Sequence, residues 1–449
     1  MRMLTKACWL LLGLASEAGA MTILEAYTLA LAHAPAWQAA LKEKEAGDEE
    51  ENIALAGLLP EVSASYQNSR YNWQKQELVQ SGAGGPRKVA NHTDYSGYSG
   101  SVTLTQPLFD YQAITRYRAG QAQKLMAHEK YRSRLQDLAS SVTEAYLQLA
   151  CRQEYIKLAG LKKRAFFEQL RLSRRLLQAG EGSATDVAES EARYTLALAE
   201  EIEVNNDFDE ARRRLETVIG LPLKAVRLPA LPLNERQPLP LKAQGFEEWQ
   251  SLLLTNNPSL QATRQELEAK RYQVEQYRAG HFPVVQLYAS HSVNDSANDN
   301  TVHQKYRTSS LGLRVKVPLY SGGGVAASTR KAAAEYSQSK YLLAEKTAST
   351  LNELKNYYNR YHSSRAKIHA LTLALEAARK QHVATRKSVF AGQRINLDIL
   401  NAEQQLYNAQ LELINERVNH IKSWLGLLNR SGVLEIKDLV VLDGHFSQK

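Results

Sequence analysis

Apolar side chains recur along this chain with two different periods. Over most of its length the period is helical. Ile399, Ala402, Leu406, Ala409 and Leu413 follow alternating steps of three and four, the spacing of a coiled-coil seam. A second seam on the same stretch, Leu411, Ile414, Val418, Ile421, Leu425 and Leu428, gives that helix a neighbour on each side. The pattern predicts helices over 22–57 (with Pro35 as a kink), from after Pro107 to about Ala179, and over Ser183–Ile219. It predicts others over Gln244–Ala279, from about Gly324 to Phe390, and over Asn396–Arg430. Leu135, Leu138, Val142, Ala145 and Leu149 keep heptad spacing on the first long helix; Arg152, Lys163 and Ser173 interrupt it and imply a wet side. About seventy residues at a rise of roughly 1.5 Å give a rod of about 105 Å. The return helices are about half as long, so two stacked short helices match one long one.

In two places the period changes to two. Val62, Ala64 and Tyr66 alternate with Ser63, Ser65 and Gln67, and Tyr98, Val102 and Leu104 with Ser99, Ser101, Thr103 and Thr105. Val285, Leu287 and Ala289 alternate with Gln286, Tyr288 and Ser290, and Leu311, Leu313, Val315 and Val317 with Ser310, Gly312, Arg314 and Lys316. These are four strands of roughly ten residues, apolar on one face and polar on the other, which suits a transmembrane barrel. A soluble half-buried sheet shows the same alternation. Two features favour the barrel: the export signal described below, and flanking helices too long to fold back over the strands. Tyr66, Trp73, Tyr95, Tyr98 and Tyr306 are candidates for an interfacial girdle, with Trp73 and Tyr95 placed in a polar, glycine-rich loop. Four strands cannot close, and about eight leave an interior filled by side chains. A pore therefore calls for several chains, and three give twelve strands.

The two halves repeat each other. Gly180 and Gly392 lie 212 positions apart, as do Asp186 and Asp398; Pro60 and Pro283 lie 223 apart, as do Pro35 and Pro258. Pro107 and Pro318 are 211 apart, so a dozen residues are missing from one strand connection while the helices keep register. Each hairpin tip opens with a glycine turn and then a helix start. Ser183 and Asp186 make a capping-box pair, and Asn396 is read as the cap of the last long helix, with Asp398 in its first turn. The organisation is thus a signal at 1–20, a first repeat at 21–219 and a Pro-rich linker at 220–243. A second repeat at 244–430 and a tail at 431–449 complete it, with linker and tail expected around the waist of the rod.

Arg2 and Lys6, the apolar run Ala7–Ala15 and Ala18-Gly19-Ala20 read as a secretory signal with an A-x-A-type cleavage site. Its removal takes the formal net charge from +9 to +8. Lys and Arg are interleaved with Glu along the helices, so the basic balance describes a solvated coiled-coil surface and not a nucleic-acid footprint. Cys151 is then the single cysteine, which excludes an internal disulfide, and Cys8 lies at the start of the apolar run, ahead of the cleavage site, and is no lipid-attachment site. Ser321-Gly322-Gly323-Gly324 lacks the Lys-Ser/Thr pair of a phosphate loop and sits at a strand-to-helix exit. His291 and His303 flank a polar loop and are read as surface histidines. No catalytic motif or cofactor site is expected. A scaffold or adhesin would show heptads without paired strands.

With its two repeats, its Pro107-Leu108-Phe109 and Pro318-Leu319-Tyr320 exits and its LDILNAEQQLYNAQ stretch, the chain resembles the TolC family of outer-membrane channels over essentially its whole mature length. The resemblance implies a mainly α protein with a membrane β-barrel, closing as a homotrimer with twelve strands in the outer membrane and a helical tunnel in the periplasm. It implies a periplasmic adaptor and an inner-membrane transporter as partners: an ABC transporter in type I protein secretion, or a proton-driven pump in drug efflux. Secretion is the preferred reading. In that family an arginine after the second tip glycine links to a Thr-Asp pair after the first; the matching residues are Arg394, Thr185 and Asp186. Asp398 matches one of two acidic residues at the narrowest point, but Asn401 stands at the second and Val389 where a tyrosine is expected. Gly180 and Gly392 mark the adaptor-docking tips, and Arg314 and Lys316 face the inferred lumen, where they would disfavour cations.

Overall fold

The computed structural model describes residues 21–81, 85–223, 229, 239–296, 298 and 301–447. The signal at 1–20 and most of the Pro-rich linker (224–228 and 230–238) lie outside the described residues. The chain runs α1 (Ile23–His33), α2 (Pro35–Ala56), β1 (Glu61–Ser81), β2 (Gly85–Phe109), α3 (Tyr111–Gln178) and α4 (Ala184–Ile219). It then repeats that order as α5 (Phe246–Asn256), α6 (Pro258–Arg278), β3 (Val284–Asp295), β4 (Lys305–Lys316), α7 (Gly324–Phe390) and α8 (Asn396–Arg430), and ends with α9 (Ile436–Ser447). Residues group into two compact bodies.

One body contains the described residues through Lys44 with Glu129–Gln261 and Glu345–Lys449. Its core is aromatic and aliphatic: Trp249, Trp424, Tyr146, Leu215 and Ile219 are fully buried. The indole N–H of Trp424 donates to Pro240 O at 2.9 Å, and the Tyr146 hydroxyl donates to Met21 O at 2.7 Å, so these two buried aromatics also satisfy their polar atoms. Helix α9 packs on α1, and Asp443 accepts from the amides of Ile23 and Leu24 at 2.8 and 2.9 Å. That carboxylate satisfies two N-terminal amides that α1 cannot bond itself.

Pro35 does more than kink a helix. Ala34 is extended at ψ 119°, α1 ends there, and Pro35 begins α2; Asn257 at ψ 113° separates α5 from α6 in the same way. Proline disfavours helical backbone in the residue before it and is well placed at a first helical position. Each break is then covered by the end of a return helix. Gly220 (φ +82°) sits so close to His33 that an added Cβ would lie 2.5 Å from its carbonyl oxygen, and Gly432 (φ +74°) sits as tightly against Asn256 and Asn257. The Asn257 side chain bridges the second joint, donating to Arg430 O at 2.8 Å and accepting from Leu260 N at 2.8 Å.

The other body contains Glu45–His128 and Ala262–Ala344. Its sheet is antiparallel in the order β1-β2-β3-β4. β3 and β4 have 12 residues each, near the expected length, but β1 has 21 and β2 has 25. The polar stretch with Trp73 and Tyr95 is therefore strand, a two-stranded ribbon that continues past the last β2–β3 pair, Tyr98↔Asp295. Both faces of this ribbon are polar, so the period-two signal is absent from its sequence. All helix connections leave one end of the sheet and both hairpin turns lie at the other.

Candidate functional site

The two tips close alike. After α3, Glu181 N donates to Leu176 O at 2.9 Å with Gly180 at φ +76°; after α7, Gln393 N donates to Ser388 O at 2.9 Å with Gly392 at φ +72°. This is the glycine-terminated helix end in which a left-handed residue lets the next amide reach back to an orphan carbonyl. Nothing lies within 4 Å of a Cβ added to either glycine, so both tips are open.

The helix starts after the tips differ. Ser183 caps α4: its hydroxyl accepts from Asp186 N at 3.1 Å while the Asp186 carboxylate accepts from Ser183 N and Oγ at 3.3 and 3.0 Å. Thr185 is exposed beside it. In α8 the cap position is Ile395, which has no side-chain acceptor. Asn396 is the first helical residue, so the sequence reading of Asn396 as the cap is corrected by one position.

The Asn396 side chain instead turns between helices. Its amide donates to Ser190 Oγ of α4 at 3.0 Å and to Ser173 Oγ of α3 at 3.2 Å, its carbonyl accepts from Gln169, and the two serine hydroxyls lie 3.0 Å apart. Ser173 is 3 % exposed and Ser190 0 %. Ser173 thus interrupts the heptad because it is part of a buried polar node, not because that face is wet. The sequence carried the signal, an Asn and two Ser at seam positions, without saying that they meet.

Further along, Lys162 of α3 pairs with Glu200 of α4 and lies 4.4 Å over the Tyr407 ring of α8. Arg193 donates to Asn401 Oδ1 at 3.0 Å, so Asn401 is an inter-helix contact. Between α7 and α8, Lys367 pairs with Glu416 at 2.8 Å, His382 with Glu403 at 2.6 Å, and Ser364 with His420 at 2.7 Å. Arg394 is exposed, and among the described residues it has no hydrogen bond or ion pair, so Arg394 and Asp186 are not joined within one chain. Asp398 sits in the first turn of α8, as expected for an anion at a helix N-terminus.

In the sheet the register aligns Val62, Leu104, Ala289 and Leu311 across all four strands, with Leu287 and Leu313 in the next row. This is one apolar face, and Leu311 (75 % exposed), Leu313 and Val315 are open on it. The opposite face carries hydroxyls: Ser65 bonds Ser101 at 2.8 Å and Ser290 bonds Ser310 at 2.7 Å. Arg314 and Lys316 lie on that polar face, with the Arg314 guanidinium 5.0 Å from the Tyr288 ring. Of the expected girdle, Tyr66 and Tyr98 fall on the apolar face, but Trp73, Tyr95 and Tyr306 alternate onto the polar one. Sequence reading missed a second aromatic group at the helix end, where Tyr111 meets Phe282 edge-on at 5.3 Å and Phe109 is exposed. Among the described residues no cluster suits a metal ion, and no helix is long and apolar enough to cross a membrane.

A two-faced open sheet joined to duplicated helical hairpins defines a membrane channel protein with a helical extension. The chain belongs to the Outer membrane efflux protein family, which it matches over residues 26–221 and 249–433. It is similar to the alkaline protease secretion protein AprF of Pseudomonas aeruginosa, 41% identical over 437 residues, covering 97% of this chain and 89% of that one. The proteases secretion protein PrtF of Dickeya chrysanthemi is 39% identical over 432 residues, covering 96% and 92%. Among solved structures the outer-membrane channel OprN shares the fold, with a TM-score of 0.76 at 19% identity over 92% of this chain and 90% of that one. The protein is located in the outer membrane.

Proposed function

We propose that this protein is the outer-membrane exit channel of a type I secretion system, passing a protein cargo delivered by an inner-membrane ABC transporter and a periplasmic adaptor. The observation that carries the channel is the sheet. One face is apolar and exposed, the other is lined with hydroxyls, and β1 and β4 are edge strands with unpaired backbone groups. In a bilayer such edges must be paired. Three copies closing β4 onto the next β1 give twelve strands around a polar lumen. Arg314 and Lys316 then line the lumen. The preference for protein cargo rests on similarity to two proteins named for protease secretion.

Transport is passive and involves no chemistry. Arg394 of one copy reaches Thr185 and Asp186 of another, Asp398 and Asn401 lie at the constriction, and docking of the adaptor at Gly180 and Gly392 parts the tips. An exposed arginine two residues before α8, without a hydrogen bond or ion pair among the described residues, suits such a breakable contact. Efflux of small molecules through a proton-driven partner is the second reading, favoured by the family's own description.

Single-channel conductance in planar bilayers, wild type beside Arg394→Ala, tests the pore: low, stable conductance that rises in the variant is expected. No conductance from folded trimer would overturn the channel. Deletion in the source bacterium separates the cargoes. Loss of an exported protease with unchanged drug sensitivity supports secretion, and the reverse supports efflux.

A further inference from the structure

We propose that the hairpin end of the sheet carries a binding surface for a phosphorylated lipid headgroup, built from Lys305, Arg307 and Arg70 around the Tyr66–Tyr98 pair. This rests on the channel reading above. Following the apolar face from the helix end, the β4 residues are Val315, Leu313, Leu311 and Ser309, and then Arg307 and Lys305. The register puts Arg307 in one row with Tyr66, and Lys305 in the next with Tyr98; Arg70 follows on β1. The charges on this face are therefore confined to the hairpin end. At the helix end the strand cations Arg314 and Lys316 point to the other face.

The spacing fits a bilayer. Eight residues separate Val315 from Arg307, which at about 3.4 Å per residue is roughly 27 Å along the strand and, at the tilt of about 35–45° usual in such barrels, about 19–22 Å in height. Outer-membrane barrels have an apolar band of about 25 Å. Within these rows His291 bonds Ser309 at 2.8 Å, and Gln106 donates to Leu58 O and Pro107 O at 3.0 and 2.8 Å. Above the band, Tyr66 and Tyr98 stack at 6.3 Å, and Lys305 Nζ lies 5.5 Å from the Tyr98 ring, aromatic bodies in the interface with a cation at their outer edge.

The cations are also available. Arg70 and Arg307 are exposed, and among the described residues neither has a hydrogen bond or ion pair, whereas Lys162, Lys163 and Lys367 on the helices are each paired with a Glu. Asp295, beside Lys305 in its row, is the single carboxylate of the two rows and leaves them net positive. A guanidinium takes a phosphate in bidentate fashion, and an ammonium adds a point charge. Because the hairpins lie opposite the helix connections, the occupant belongs to the leaflet facing away from the periplasm.

The test uses the full-length trimer reconstituted in phosphatidylcholine vesicles containing a minor fraction of phosphatidic acid, whose headgroup is a phosphate monoester. Lipid retained after detergent extraction is read by native mass spectrometry. Wild type is expected to enrich phosphatidic acid over phosphatidylcholine, and each of Lys305→Gln and Arg307→Gln to lose roughly fivefold of that enrichment. Arg314→Gln on the other face should leave it unchanged, and Lys305→Arg should keep it. Equal retention of both lipids by wild type, or wild-type enrichment in the Lys305→Gln/Arg307→Gln double variant, would overturn the site. Displacement by inorganic phosphate at concentrations matching the lipid would reduce it to a simple anion site and overturn the lipid assignment. Conductance from the same vesicles separates the two readings. Conducting protein without enrichment sinks this inference alone, and protein that neither inserts nor conducts sinks the channel with it.

Discussion

Asn396 Nδ2 lies 3.0 Å from Ser190 Oγ, and that contact holds the first residue of α8 against α4, two positions after the exposed Arg394. The start of α8 is thus tied inside the chain by a buried neutral node, while the arginine beside it has no hydrogen bond or ion pair among the described residues. Removing the Asn396 amide leaves the two buried hydroxyls only each other and takes an acceptor from Gln169. Asn396→Leu should cost about 1–3 kcal/mol, as expected for buried polar groups deprived of partners. Denaturant unfolding followed by helical circular dichroism measures the loss. Because the node also restrains the tip, the same variant should raise channel conductance.

Arg394 and Asp186 are the proposed second element. If they join neighbouring copies, Arg394→Ala and Asp186→Asn each raise conductance, and the double variant rises no further than the stronger single one. Additive effects in that double-mutant cycle would place the two residues in different interactions. The cap role of Asp186 is distinguished by helix stability: Asp186→Asn keeps an acceptor for Ser183 and should lose less than 1 kcal/mol.

His420 makes the α7–α8 contact sensitive to acid. Burial, with Arg365 nearby, pushes its imidazole below the usual value of 6.5, against a smaller opposing effect of Glu416 and the Tyr361 backbone. Its ring stacks on Tyr361 at 4.6 Å and meets Ser364. A lowered folded pKa means that the unfolded chain binds the proton more readily, so this contribution is intact above 6.5 and is lost as the pH falls below it. Thermal melting between neutral pH and pH 5 should show a steeper decline for wild type than for His420→Gln.

Gly426 faces Tyr357 so closely that an added Cβ would enter the ring. Gly426→Ala should therefore destabilise the α7–α8 packing by about 1–3 kcal/mol, the usual cost of overfilling a close-packed site. Shortening the ring, in Gly426→Ala/Tyr357→Leu, should recover part of it. Urea unfolding midpoints compare the three proteins.

Element order and helix limits were largely legible because they follow from long periodic runs. The limits expected for α7 and α8 agree with those found, and most positions of the two seams on α8 are buried, with Leu406, Ala409 and Leu411 half-buried. Strand length was not legible, since beyond Tyr66 and Tyr98 the β1–β2 ribbon has no apolar face to alternate. The cap of α8 was misplaced by one residue because Asn is a good cap by type. The backbone after Gly392 instead turns extended at Ile395, and the Asn396 amide finds better partners in Ser173 and Ser190. Such a choice depends on which helices are neighbours, and local spacing does not report that. The same holds for the tyrosines, whose face was settled only by the register of pairing.

At Gly220 and Gly432 the chain passes so near another stretch of backbone that there is no room for a methyl group. Every base change that alters a glycine codon's meaning adds a side chain or ends translation. Both codons are therefore confined to silent third-position changes. In a lineage of such genes, these two codons would be among the slowest clocks, and their shared stillness would mark the ancient doubling after the flanking sequence had lost it.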